Sequence, residues 1–349
     1  VLAVALSACS KQAENLVAES SKLEPVRNLL LICIDTVRAD TFFQLGELSP
    51  DRLSAWEKDA LVFTRAAAPA PWTVPSVASA FTGLWPIQHG AGLIPGMKKI
   101  SMAKNPPSVL QPEVRTIAQA ADEKGFTTTV ISASQWTFDN TNPVDISRGF
   151  ADFHEHVPGF GTLGDIFWDD MLPQWEALIT DQPDDARALN FVHFLEAHNW
   201  HTVMEGKLNK FIKGFSPEQL ALYRKTAPPP TCEDEQSLIC MRYLVYAHAV
   251  EALRNVIADM LDTLEAQGQL EHTAVVLLSD HGEEFNDHAG DGRELFIPQQ
   301  QGAFGHGISL YEEQLHVPLH VWHPGLAGKR IETPVSLIDI APSAAAWLG

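Results

Sequence analysis

Short apolar runs recur along the chain and alternate with segments of helical periodicity. A run of about six residues without polar alternation is typical of a parallel strand that is buried on both faces. The clearest helical segment carries its apolar side chains on one face and stops at Gly268. The alternation predicts an α/β fold, with strands at 29–34, 127–132, 189–195, 274–279 and 317–322 and helices at 50–58, 113–124, 242–266 and from 337.

Three long segments lack a regular pattern. Residues 136–185 are rich in aromatic and acidic side chains, residues 207–240 contain a run of prolines, and residues 286–305 are rich in Gly and Gln. Such composition without a strand or helix period predicts irregular insertions. The first segment would either wall a substrate cleft or pack over the sheet, and we expect all three to decide specificity.

Acidic and histidine side chains follow two of the predicted buried strands. Asp35 comes directly after residues 29–34, and Asp280 and His281 come directly after residues 274–279. In open α/β sheets, ligands gather beyond the carboxyl ends of the strands. The carboxylates of Asp35 and Asp280, the imidazole of His281 and a hydroxyl from Thr73 would suit Zn²⁺ or Mn²⁺. Ca²⁺ prefers oxygen ligands alone. The sequence therefore predicts a site for one divalent ion, with Zn²⁺ or Mn²⁺ favoured over Ca²⁺.

A hydroxyl for this site is predicted at Thr73. Pro75 suits the first turn of a helix and Gly83 suits its end, so Thr73 would stand at a helix N-terminus. Unpaired backbone N–H groups and the helix dipole favour an anion there. A threonine at this point is, taken alone, more often a plain N-cap residue.

The charge of the chain excludes one class of partner. Its 24 basic and 44 acidic residues give a net charge of −20, and no cluster of Lys or Arg offsets it. We therefore expect no nucleic-acid binding and no attachment to anionic membrane through a basic patch.

The opening of the chain predicts a lipid anchor. VLAVALSAC resembles the end of a signal peptide with a bacterial lipobox, in which Cys9 carries the lipid, residues 1–8 are removed and residues 9–26 form a polar tether. The alternative is an ordinary buried helix start. Because the apolar run is too short to span a bilayer, we expect a protein on the periplasmic side of the bacterial cell envelope, held to the membrane by lipid alone.

The other cysteines differ in their surroundings. Cys33 lies within an apolar run, where it would be a small buried side chain. Cys232 and Cys240 flank a short polar segment, and an oxidising periplasm favours a disulfide between them. A metal site is the weaker alternative, because no His or further Cys lies at ligand spacing around the pair.

Four ordered segments carry a family resemblance. LLLICIDTVRAD, WTVPSVASAFTGLWPIQHG, LLSDHGEEFNDH and GHGISLYEEQLHVPLHVWHPG together resemble the sulfatase family of the alkaline phosphatase superfamily. The resemblance implies a central, mostly parallel sheet flanked by helices and one catalytic domain over residues 27–349. Family members usually continue further, so a C-terminal part is expected to be missing.

The resemblance also implies roles for individual residues. Asp35, Thr73, Asp280 and His281 would bind the metal, and Thr36 stands where many sulfatases carry another metal-binding aspartate. His198 and His306 would hold the non-bridging oxygens of the substrate or protonate its leaving group. His288 would help to bind substrate. The weaker candidates are Arg38, His89, His193 and His201.

The chain departs from common sulfatases at the nucleophile. Those enzymes carry Cys or Ser in C-x-P-S-R and convert it to formylglycine, whereas this chain has Thr73 and, in place of the arginine, Val77. Threonine cannot be oxidised to that aldehyde. The segment resembles the threonine-bearing branches of the superfamily, which form a phosphothreonine.

This departure favours hydrolysis of phosphoesters, such as phosphodiesters or phosphonate monoesters, through a covalent Thr73 intermediate. Three alternatives stay open. They are a sulfuric ester hydrolase, a transferase that moves a phospho-headgroup from lipid to a cell-envelope glycan, and an inactive protein that binds sulfated or phosphorylated glycans. The substrate would be a small-molecule, glycan-linked or lipid-linked ester.

Overall fold

The computed structural model describes residues 23–92, 107–134, 136–137, 144–155, 168–183, 185–198, 205–229, 232, 237–288, 304–307 and 309–349. The strands in these ranges are β1 (Asn28–Ile34), β2 (Leu61–Ala67), β3 (Thr127–Ser132), β4 (Asp152–Glu155), β5 (Ala188–Phe194), β6 (Thr273–Leu278), β7 (Glu284–Phe285), β8 (Phe304–Gly305), β9 (His316–Trp322), β10 (Lys329–Ile331) and β11 (Val335–Ser336). The α-helices are α1 (Ala39–Leu48), α2 (Arg52–Trp56), α3 (Thr73–Thr82), α4 (Pro86–His89), α5 (Ile117–Asp122), α6 (Trp168–Thr180), α7 (Glu205–Ile212), α8 (Pro217–Tyr223), α9 (Leu238–Ala266), α10 (Glu312–Leu315) and α11 (Ile340–Trp347).

The main sheet is mixed but mostly parallel. Its strands follow the order β10-β2-β9-β6-β1-β5-β3-β4, and β11 also pairs with β2. β9 runs antiparallel to β2 and β6, and every other pairing in this sheet is parallel. The α/β fold with a mostly parallel central sheet is therefore confirmed.

Both faces of the sheet are covered by helices. The long helix α9 buries one complete face, including Leu253, Ile257 and Leu261, against one side of the sheet. On the other side, α3, α5 and α11 form a second apolar cluster that includes Val74 and Ile117. Burial on both faces explains why β1, β5 and β6 are continuous apolar runs and not alternating ones.

The register of the two central strands brings their carboxyl ends to one level. β1 and β6 are parallel neighbours, and Cys33 pairs with Leu278 as the last pair of the ladder. Asp35 and Asp280 each lie two residues beyond that pair. The sheet itself therefore brings both acids to the same edge.

Two predicted insertions contain regular structure. Residues 136–185 include β4 and α6, and Met171 and Trp175 of α6 are buried in the core, so this segment packs over the sheet. Its helical period is obscured in the sequence by acidic residues and by Pro173 inside the helix. Residues 207–240 include α8, which begins in a reciprocal capping box between Ser216 and Gln219. The prediction of irregular structure is wrong for these stretches.

Other predictions differ at element ends. The helix expected at residues 113–124 begins only at Ile117, because Thr116 is its N-cap and pairs with Gln119. The segment from residue 337 first forms a 3₁₀ turn, Leu337–Asp339, and then α11. Cys232 and Cys240 form a disulfide. Residues 1–22, with Cys9, and most of 286–305 lie outside the described ranges.

The helices were also compared with the thickness of a bilayer. Within the ranges given above, none combines the length and the apolar character that a membrane crossing requires.

Candidate active site

His281 lies at the centre of a buried cluster at the strand ends. Its Nε2 atom is 3.4 Å from Asp35 Oδ1, 3.5 Å from Asp280 Oδ2 and 3.4 Å from Thr73 Oγ1. These four side chains are at most 3% exposed. The structure therefore brings together all the residues that were predicted to bind a metal.

The protonation of His281 is set by its surroundings. Its Nδ1 atom is 2.9 Å from the carbonyl oxygen of Gly282, which suits a donated hydrogen bond. Burial, with a further contribution from His306, lowers the pKa of His281 to about 3. The ring is therefore neutral near pH 7, and the lone pair on Nε2 faces the two carboxylates and Thr73.

Thr73 is the first residue of helix α3. Trp72 occupies the N-cap position with extended backbone angles, so Thr73 is not the cap. The helix is fixed to the strand end by Ser76, whose hydroxyl donates to the carbonyl oxygen of Asp280 at 2.5 Å. This contact directs the Thr73 hydroxyl towards His281 at the positive end of the helix dipole.

The donor set suits a divalent metal ion. Asp35 Oδ1 and Asp280 Oδ2 are buried oxygens without a hydrogen-bond partner in the described part of the chain. Burial and the charge of Asp35 raise the pKa of Asp280 well above its usual range. Two buried carboxylates beside a neutral imidazole require a cation, and these side chains offer it oxygen and nitrogen donors.

Thr36 does not replace the missing aspartate. Its backbone has φ 62°, which is the left-handed region that non-glycine residues seldom adopt. Its hydroxyl donates to the carbonyl oxygen of Asp35 at 2.7 Å, and its backbone N–H faces Asp280 Oδ1 at 3.4 Å. The residue shapes the turn after β1 and orients Asp280.

His306 and His198 lie beside the metal-binding group. The ring centre of His306 is 4.4 Å from that of His281 and 5.1 Å from that of His198. His306 Nδ1 is 3.2 Å from both oxygens of Glu283, which is buried. Burial opposes protonation of His306, but Glu283 raises its pKa above the usual value. The arrangement provides an imidazole that can donate a proton to a substrate oxygen.

Two residues of this site were underestimated from sequence. His193, rated a weak candidate, is buried on β5 with Nε2 3.3 Å from Asp35 Oδ2 and Nδ1 3.1 Å from Thr137 Oγ1. Burial opposes ionisation of Asp35, but His198, His193 and His281 lower its pKa below the usual range. Glu283 is the last residue of the DHGE motif at residues 280–283, and nothing else in the sequence indicated a role for it.

The remaining candidates have other contacts. His89 is buried between Ser79 Oγ at 3.0 Å and the carbonyl oxygen of Pro75 at 3.2 Å, so it fixes helix α3. Arg38 pairs with Asp40 and Asp287. His288 contacts Glu313 and stacks on Tyr311, and its substrate-binding role stays a prediction. His201 lies outside the described residues.

The chain is similar to known proteins over most of its length. A family model described as Sulfatase matches residues 27–349. An ulvan-active sulfatase from Formosa agariphila is 25% identical over an alignment that covers 98% of this chain and 65% of that protein. Arylsulfatase K from Xenopus laevis is 31% identical over an alignment that covers 35% of this chain and 20% of that protein. The chain thus spans less than two thirds of the length of these relatives.

A solved structure shares the fold at low identity. The phosphonate monoester hydrolase of Agrobacterium radiobacter aligns with a TM-score of 0.63 at 20% identity, over 91% of this chain and 72% of its own. At this identity the likeness concerns the fold alone.

Proposed function

Because the chain belongs to the sulfatase family, we propose that it is a metal-dependent hydrolase that cleaves phosphodiesters or phosphonate monoesters through a covalent intermediate on Thr73. The observation that carries the proposal is the buried group of Thr73, Asp35, Asp280 and His281, in which Thr73 Oγ1 lies 3.4 Å from His281 Nε2. A hydroxyl at a helix N-terminus beside a metal-binding group is placed to attack an anionic ester.

The identity of the nucleophile favours phosphorus over sulfur. A hydrated formylglycine releases sulfate by collapsing to its aldehyde, and Thr73 has no such route. A sulfated threonine and a phosphothreonine both need direct attack by water, and the threonine-bearing branches of the superfamily that this segment resembles use that route at phosphorus. Val77 supplies no guanidinium for the aldehyde chemistry either.

Each side chain of the site has a role in the proposed reaction. Asp35, Asp280 and His281 would hold one divalent ion, which supplies charge neutralisation at the ester and a lower pKa for the Thr73 hydroxyl. The Thr73 hydroxyl gives up its proton to solvent, and its oxygen forms a bond to phosphorus while the bond to the leaving oxygen breaks.

The two histidines handle the protons. His306, held by Glu283, donates a proton to the departing oxygen, and His198 contacts the non-bridging oxygens. Water then attacks the phosphothreonine, and its proton returns to His306. The Thr73 oxygen leaves phosphorus and takes up a proton from solvent, which restores the hydroxyl, and the product departs as a phosphate monoester or a phosphonate.

Hydrolysis of sulfate esters is the second candidate. A relative aligned over 98% of this chain is named an ulvan-active sulfatase, which favours a sulfated glycan as substrate. The same metal-binding group and histidines would serve that reaction.

The test compares two chromogenic esters. The protein would be loaded with Zn²⁺ or Mn²⁺ and incubated with p-nitrophenyl phenylphosphonate or p-nitrophenyl sulfate, and p-nitrophenol release and intact mass would be measured. We expect turnover of the phosphonate and a phosphonyl adduct that maps to Thr73. Thr73→Ala should lose both. Thr82→Ala is the matched control, because Thr82 lies at the other end of α3 and donates to Ala78.

Full turnover by Thr73→Ala would contradict the covalent mechanism. Turnover of the sulfate ester alone would select the second candidate.

A further inference from the structure

A second group of metal-ligand side chains lies outside the active site. It consists of Glu284, His288 and Glu313, and one ligand atom of each lies within 4.8 Å of the others. It shares no residue with the group of Asp35, Asp280 and His281. In the segment that follows β6, Asp280 and His281 precede Glu283, and Glu284 and His288 follow it.

Glu284 is the unusual member of this second group. Its side chain is 0% exposed, and neither carboxylate oxygen has a hydrogen-bond partner in the described residues. The backbone N–H of His288 lowers the pKa of this carboxyl, but its geometry is not that of an ordinary hydrogen bond. An unpaired buried carboxylate is strongly unfavourable if it stays charged, unless a cation pairs with it.

The surroundings of Glu284 are acidic. Burial and the neighbouring Asp287 raise the pKa of Glu284 to about 7. Arg38, which pairs with Asp287, is also paired with Asp40. His288 Nε2 is directed at Glu313 Oε2, 3.1 Å away. A protonated His288 lowers the pKa of Glu284, and a bound metal ion would stabilise the charged carboxylate more strongly.

We propose that Glu284, His288 and Glu313 bind a second divalent metal ion of the Zn²⁺ type. Two carboxylates and one imidazole form a ligand set that Zn²⁺ accepts, and three protein ligands leave a position for water. His288 and Glu313 side chains are 27% and 21% exposed, so this open position faces solvent. Two ligand atoms that each lie about 2.1 Å from Zn²⁺ are at most about 4.2 Å apart. The ligand atoms of this group lie within 4.8 Å of one another, so they would have to approach by less than about 1 Å to bind the ion.

The second ion would join two parts of the chain that frame the active site. Glu284 lies on β7 directly after the DHGE motif, and Glu313 lies on α10. The neighbour of Glu313, Gln314, accepts from the backbone N–H of Gly282 at 2.8 Å and, through its side chain, from that of Gly307 at 3.1 Å. The ion would therefore restrain α10 against the segments that carry His281 and His306. This role does not depend on the ester that the protein cleaves.

The experiment is a count of bound metal. The full chain would be stripped with a chelator, dialysed against micromolar Zn²⁺ and analysed for zinc per chain by mass spectrometry. We expect about two ions for the wild type, about one for Asp280→Asn, and about one for Glu284→Gln or Glu313→Gln. Glu312→Gln is the matched control, because Glu312 is exposed in the same turn of α10, and it should retain two.

The variants separate this site from the active site. Glu313→Gln changes a partly exposed residue and keeps the test valid if Glu284→Gln does not fold. Loss of one ion in Glu313→Gln together with an unchanged count in Asp280→Asn would support the second site while contradicting the first. Wild-type zinc content in both glutamate variants would overturn the second site.

Discussion

His193 is placed to position Asp35 in the proposed metal-binding group. It contacts Asp35 Oδ2, whereas His281 faces Asp35 Oδ1, and it is itself held by Thr137. Partners of this kind orient a ligand and set its charge, and their loss typically costs 10- to 100-fold in metal affinity. Its contribution is therefore to the affinity of the site and not to bond cleavage.

We expect His193→Gln to weaken Zn²⁺ binding at the active site by about 10- to 100-fold. A competition titration with a chelating dye measures this directly, and Glu284→Gln can serve as the background so that only one site is observed. His320→Gln is the control, since His320 is also buried on a central strand but contacts Glu57. Equal affinities for the two histidine variants would show that His193 is only a core residue.

The residues of the site differ in how visible they are in sequence. Asp35, Asp280 and His281 were predicted because each directly follows a buried strand, and parallel strands bring their ends together. His193 lies inside a strand, where its contact with Asp35 depends on the pairing of β5 with β1. The left-handed backbone of Thr36 could not be predicted from sequence, because only glycine commonly indicates that conformation.

At the scale of elements, Arg254 joins the long helix α9 to the segment around α2. Its guanidinium is 0% exposed and forms bonds of 2.7 Å and 2.9 Å to Asp51 and of 3.1 Å to Glu57. Burial opposes ionisation of Asp51, but Arg254 lowers the pKa of that carboxyl. For Glu57, His320 and Arg254 together lower the pKa against burial.

Arg254→Met should destabilise the protein by about 3–5 kcal/mol at pH 7, because it removes the buried cation that pairs with two partly buried carboxylates. Carboxyl groups with lowered pKa stabilise the fold above about pH 4 and lose this contribution as pH falls through their folded pKa. The difference between variant and wild type should thus shrink below pH 4. Urea unfolding at pH 7 and pH 3.5 measures it.

The control is Arg52→Met, which removes ion pairs of a half-exposed side chain with Asp259 and Asp262. It should cost less than about 1 kcal/mol. A loss in Arg254→Met as small as in this control would contradict the role assigned to the buried network.

Strands and helices were predicted correctly from sequence where at least one face of the segment is fully buried. The central strands and α9 have continuous or periodic apolar patterns that burial on the sheet imposes. α6 and α8 were missed because their apolar positions are interrupted by charged or proline residues. Their helical state depends on caps and on contacts with a core that the local sequence does not show.

For the whole molecule, the active site is a concentration of negative charge within an acidic chain. The net charge is −20, and Asp35 and Asp280 are buried side by side at the centre of the sheet edge. Their mutual repulsion opposes folding until a cation binds between them. The same pair that creates the metal site should therefore destabilise the metal-free protein.

This gives a prediction with opposite signs in two conditions. Asp280→Asn should raise the thermal midpoint in chelator, because it removes a buried carboxyl that the metal-free fold must either protonate or keep charged beside Asp35, and it should abolish the part of the Zn²⁺-induced rise that this site contributes in the wild type. A ligand at about 100 times its Kd stabilises the folded state by about 2.7 kcal/mol. Calorimetry of both proteins, with chelator and with Zn²⁺, measures the thermal midpoint of each. We expect the variant to have the higher midpoint in chelator and the wild type to have the higher midpoint with Zn²⁺. Since the second site should respond equally in both proteins, a parallel rise in both would show that Asp280 does not bind metal.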